Sequence, residues 1–107
     1  MGTLATSHMT VEVSGGPHRG YVCIAGEVDL AGEKQLTDAL GQLANLHSHT
    51  VSIDLGGVTF AGSSLLNFLT RVSMTMPANT PLLLCRSTAM TRRLIQVAGL
   101  EQIGILS

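Results

Sequence analysis

Residues 51–72, VSIDLGGVTFAGSSLLNFLTRV, carry the pattern from which the rest of the chain can be read. Val51, Ile53 and Leu55 alternate with Ser52 and Asp54, which predicts a short strand. Gly56 and Gly57 are expected to break it, with Val58 and Phe60 as apolar anchors through the turn. Gly62, Ser63 and Ser64 then lead into Leu65, Leu66, Phe68, Leu69 and Val72 at helical spacing. The unit reads as strand, glycine-rich turn and serine-capped helix. It sets the hydroxyls of Ser63 and Ser64 where the first N–H groups of a helix have no internal partner, and that pair is the candidate site.

Upstream, Val11 and Val13 start a strand that stops at Gly15-Gly16-Pro17, and Tyr21, Val22, Cys23, Ile24 and Ala25 form the second arm of a hairpin. A helix is expected from about Glu33 to Leu46, with Leu36, Ala39, Leu40, Leu43 and Leu46 on one stripe. Downstream, residues 74–81 form a connector bounded by Pro77 and Pro81. Leu82, Leu83, Leu84 and Cys85 follow as a continuous apolar strand of the kind buried on both faces. Ser87 or Thr88 is expected to cap a third helix with Met90, Leu94, Val97 and Ala98 as its apolar positions and Ile95 beside them. Gly99 would end that helix, and Ile103, Ile105 and Leu106 make a last short strand. The order β-β-α-β-α-β-α-β implies an α/β fold: a mixed sheet of four to five strands, parallel beyond its opening hairpin, covered by three to four helices.

A chain of 107 residues holds one core. With 45% hydrophobic and 12% charged residues it is expected to be compact and ordered. The formal charge of −1, the absence of a Lys or Arg run and the scarcity of aromatic residues exclude a nucleic-acid partner from the expectations. No apolar run approaches the ~20 residues of a membrane span. Residues 1–8, MGTLATSH, resemble a vector-derived leader, leaving a single domain over residues 9–107. Cys23 and Cys85 stand in apolar runs without zinc-site or CxxC spacing, which predicts two buried thiols in a reducing cytoplasm.

Several enzyme chemistries can be weighed against the turn. Gly57 and Gly62 have the spacing of a phosphate-binding loop, but Ser63 stands where the phosphate-binding lysine is needed. The G-x-S-x-G of a nucleophile elbow is absent, because Leu66 occupies the second glycine position. No histidine is oriented toward Ser63 by the pattern, and His47-x-His49 is better explained as a solvated loop than as a metal chelate. The expectation is a protein without enzymatic activity, metal or cofactor. Glu27 and Asp29 follow the second strand, and their ordinary explanation is a polar loop in which Asp29 satisfies nearby N–H groups. In a parallel sheet, however, that loop and the Ser63 turn share one edge and form a binding surface.

At this point two stretches resemble a known family. Gly26-Glu27-Val28-Asp29-Leu30-Ala31 is similar to the G-E-[LV]-D-L-A stretch of STAS domains, the fold of bacterial anti-sigma-factor antagonists. Residues 51–66 are similar to that family's DLSGVTFIDSSGL segment. The resemblance implies a switch: an antagonist that binds an ATP-using anti-sigma factor serine kinase and is released by phosphorylation at the start of the second helix, regulating transcription indirectly. It implies Ser63 as phosphoacceptor, with Ser64 as second choice, and a partner surface of Glu27, Asp29, Gly62, Ser63, Ser64 and Asn67. Two positions depart from the pattern: Gly62 replaces an acidic residue and Leu65 replaces a glycine. Those departures favour an alternative, a STAS adaptor that docks on a transporter ATPase or scaffold without phosphorylation. A homodimer through the strand at Val11 and Val13 is a further expectation.

Overall fold

A computed structural model describes residues 8–77, 80–97 and 104–106. The elements are β1 (Met9–Gly15), β2 (Arg19–Val28), a 3-10 turn (Leu30–Gly32), α1 (Glu33–Leu46), β3 (Thr50–Ala61), α2 (Ser63–Thr75), β4 (Leu82–Cys85), α3 (Ala89–Val97) and β5 (Gly104–Leu106). The five strands lie in the order β1-β2-β3-β4-β5. β1 and β2 are antiparallel across the Gly15-Gly16-Pro17 turn, and every later pairing is parallel. This is the mixed α/β sheet expected from the order of elements.

Parallel neighbours in sequence order need right-handed crossovers, so α1, α2 and α3 all come to the same side of the sheet. The burial pattern follows. Val22, Ile24, Ile53, Leu55 and Leu84 are fully buried beneath the helices, together with Leu36, Leu43, Leu65, Phe68 and Leu69 from the helices themselves. On the opposite side Tyr21 and Cys23 are exposed, while Asp54, Leu83 and Cys85 are half-buried. Two expectations are corrected by this one-sided cover: β4 is buried on one face only, and neither thiol is buried.

β3 also differs from its expectation. Gly56 and Gly57 do not break the strand, which continues to Ala61 because β2 continues beside it to Val28. The pairing absorbs irregularities between Cys23 and Ala25 and between Gly26 and Glu27. Gly57 is required by that closeness, since a Cβ there would lie 2.8 Å from the Ala25 Cβ. Glu27 is therefore a strand residue, not a loop residue.

The third helix is turned relative to its expected stripe. Thr91 and Ile95 are buried, whereas Met90 and Val97 are exposed at 65% and 80%. Thr88 supplies the cap, its Oγ1 accepting the Thr91 N–H at 3.2 Å. Ala98, Gly99 and Ile103 lie outside the described residues. The backbone of His8, set aside with the leader, takes part in the sheet: its carbonyl accepts the Glu27 N–H at 3.2 Å. Among the described residues no helix is long and apolar enough to cross a membrane.

Candidate functional site

The carboxyl ends of β2 and β3 run side by side, with Val28 opposite Ala61. Each then turns into a helical element on the same edge of the sheet. After β2, Asp29 caps the 3-10 turn: its Oδ1 accepts the Ala31 N–H at 3.1 Å, and its carbonyl accepts the Gly32 N–H at 3.0 Å. After β3, Gly62 adopts extended geometry as the N-cap of α2, and its N–H donates to the Val28 carbonyl at 3.2 Å. That bond joins the Asp29 loop to the serine turn.

The two serines have different surroundings. Ser63 is the first residue of α2 and is exposed. Ser64 is 3% exposed, and its Oγ donates to Glu33 Oε2 in the first turn of α1 at 3.0 Å. Neither serine caps the helix, contrary to the expectation, because Gly62 occupies the cap and makes no side-chain bond. The Gly62 carbonyl instead accepts the Leu65 N–H at 3.1 Å, closing a tight first turn. Ser64 has a structural duty of its own: it links α1 to α2.

Glu27 is exposed near the end of β2, Asp29 is half-buried, Gly62 is half-buried, and Asn67 is exposed one turn along α2 from Ser63. All of the expected site residues thus belong to the C-terminal ends of β2 and β3 or to the helical turns that follow them. His47 and His49 precede β3 and so belong to the opposite edge. Leu65, which departs from the family's glycine, is fully buried and contributes to the core rather than to the surface.

Sequence reasoning overlooked the apolar rim of this edge. Leu30 is 78% exposed and Phe60 52% exposed, and the Phe60 ring lies beside Gly62. Beyond Ala61, a groove of about 340 Å³ is lined by Met90, Leu94, Val97 and Arg93 of α3. The available sign was a surplus: Leu30 and Phe60 fit neither a helical stripe nor the buried alternation of a strand. Glu33 is legible in the sequence as the start of α1, but nothing local pairs it with Ser64.

Asp54, the other acid of β3, is committed elsewhere. Its Oδ2 receives Arg86 Nη2 at 2.7 Å and its Oδ1 the Gly56 N–H at 2.8 Å. The Arg86 guanidinium, followed by the Gly56 N–H, holds the carboxyl below its ordinary range.

Residues 10–107 match the family described as "Mlab, STAS domain". No curated protein matches the chain. Among solved structures, an anti-sigma factor antagonist from Mycobacterium paratuberculosis superposes with a TM-score of 0.81 at 24% identity, covering 98% of this chain and 89% of that one. The anti-sigma factor antagonist SpoIIAA in its unphosphorylated form gives a TM-score of 0.73 at 12% identity, over 92% of this chain and 88% of that one. The Bacillus cell fate determinant SpoIIAA in its phosphorylated form gives 0.71 at 14% identity, over 92% of both chains. With the family matched over residues 10–107, this chain belongs to the STAS domain family.

Proposed function

We propose that this domain is a non-enzymatic binding switch: an anti-sigma-factor antagonist that docks on an ATP-using anti-sigma factor serine kinase and is released when Ser63 is phosphorylated. The observation that carries the reading is the exposed hydroxyl of Ser63 at the first position of α2, on the same edge as the Asp29 loop. The two solved structures of SpoIIAA, one phosphorylated and one not, support a fold that accommodates both states.

The physics of the switch lies in the interface. A phosphate carries about −1.5 to −2 charges at neutral pH, and at the start of a helix it meets free N–H groups and the positive end of the dipole. The domain itself tolerates that charge. A partner that covers the edge does not, because its contact would bury an unpaired dianion, at a cost of roughly several kcal/mol and hence orders of magnitude in affinity. The exposed Leu30 and Phe60 supply the apolar contact that makes the surface adhesive before the phosphate arrives.

Incubation with ATP and a candidate kinase, followed by intact-mass measurement, tests this. One added phosphate that Ser63→Ala abolishes is the expected result, and loss of kinase binding in Ser63→Asp accompanies it. An unchanged affinity in Ser63→Asp overturns the charge mechanism. Gly62 favours the second reading, an adaptor on a transporter ATPase without phosphorylation, because no carboxylate stands beside the hydroxyl. Tight binding to such an ATPase with no mass increase would select it.

A further inference from the structure

We infer that Glu33 is the positioning residue that decides which of the two adjacent hydroxyls can carry an anion. The inference rests on the reading of Ser63 as acceptor and concerns the device that excludes Ser64.

Ser64 is hidden by an interaction and not by depth alone. Its Oγ donates to Glu33 Oε2 at 3.0 Å, and both residues line a groove of about 250 Å³ between α1 and α2, with Leu36, Asn67 and Phe68. The Glu33 carboxylate, bonded to the Ser64 hydroxyl, therefore borders the same open space, which is large enough for a phosphate. Arg71 lines the same groove from α2, and its Nη1 donates to Thr37 Oγ1 one turn further along α1 at 3.0 Å, a second link between the same helices that engages the groove's cation away from the Ser64 hydroxyl. The carboxylate does two things. It occupies the Ser64 hydroxyl proton, and it repels any second anion at that position. Ser63 has neither restraint. An acidic residue on α1 thus gives directionality to a serine pair whose members are neighbours in sequence.

The consequence is testable without a kinase. In denaturant unfolding, Ser63→Asp is expected to keep the wild-type midpoint. Ser64→Asp is expected to lose much of it or not to fold, because two carboxylates meet in a half-buried contact. The double variant Ser64→Asp with Glu33→Gln should recover more than half of that loss, since the Gln amide can donate to the new carboxylate. Equal midpoints for the two single Asp variants, or no recovery in the double variant, overturn the inference. A kinase that loads the wild-type domain adds a readout that a merely structural role would not move. Fragment masses should place phosphate on Ser63 alone in the wild type and in the control Thr37→Ala, and on both serines in Glu33→Gln and in Glu33→Ala. Phosphate confined to Ser63 in Glu33→Ala removes Glu33 from the selection while leaving the Ser63 reading intact. A wild type that takes no phosphate removes the Ser63 reading, and the Asp series still judges the Glu33 contact.

Discussion

A side chain can be added at Gly62 without moving its neighbours. Its φ of −110° suits any residue, and a Cβ would lie 3.5 Å or more from the Phe60 ring and the Val28 carbonyl. Gly62→Asp, which restores the acid the family pattern has here, is therefore expected to fold normally. It should gain roughly a few tenths of a kcal/mol in denaturant unfolding from a better N-cap. Ser63→Ala should change stability by less than about 0.5 kcal/mol, because the exposed hydroxyl caps nothing. Were Ser63→Ala instead strongly destabilising, the hydroxyl would be structural and unavailable for a reversible modification. Asp54 has a pH signature of the opposite kind to a buried acid. Its folded pKa is depressed, so its contribution is present above the ordinary carboxylate value near 4 and is lost as pH falls through the lower folded value. Asp54→Asn should flatten that part of the acid unfolding curve. The effect should shrink at high salt, because Arg86 is largely exposed.

At the scale of elements, α2 is held by its buried face, not by its ends. Leu65, Phe68, Leu69 and Val72 are at most 1% exposed, and the helix has neither a side-chain cap nor acidic residues in its first turn. Phe68→Ala is expected to cost about 3–5 kcal/mol by equilibrium unfolding. Gly57→Val should cost about 1–3 kcal/mol, because β2 and β3 leave no room between Ala25 and residue 57. The spacing of Leu36, Ala39, Leu40 and Leu43 and that of the α2 stripe identified those helices correctly, since their apolar faces are long and regular. β3 was misjudged in the way local reasoning fails. Gly56 and Gly57 look like a break in isolation, whereas pairing with β2 holds the chain extended through them. α3 failed for another reason: at nine residues, with Thr91 buried and Met90 and Val97 outside, its orientation is set by a docking site and not by its own periodicity. In the candidate site the acids and the hydroxyls were legible from motif spacing. The Glu33–Ser64 contact was not, because it joins residues 31 apart through tertiary packing.

Across the whole molecule, the one-sided helical layer makes the two thiols chemically unequal but keeps both on the open face of the sheet. Cys23 and Cys85 flank Asp54 on one rung, each on a strand next to β3. Two strand spacings, roughly 10 Å, separate their backbones, too far for a disulfide within the domain. A maleimide should therefore label native Cys23 faster than the half-buried Cys85, and mild oxidation should yield no intramolecular bridge by mass. Equal rates would mean that the β4 side of this face is more open than the packing of Leu83 and Cys85 implies. The strand order has a further consequence, one of timing. Because each parallel strand is laid beside its immediate predecessor, the chain can be assembled in the direction in which a ribosome releases it. Glu27, Asp29, Glu33 and the serine pair all lie before β4, so a nascent chain that has emerged only as far as Thr75 already contains the proposed recognition edge. β4 and α3 arrive afterwards, bringing the apolar groove to a neighbourhood whose polar features have been translated first.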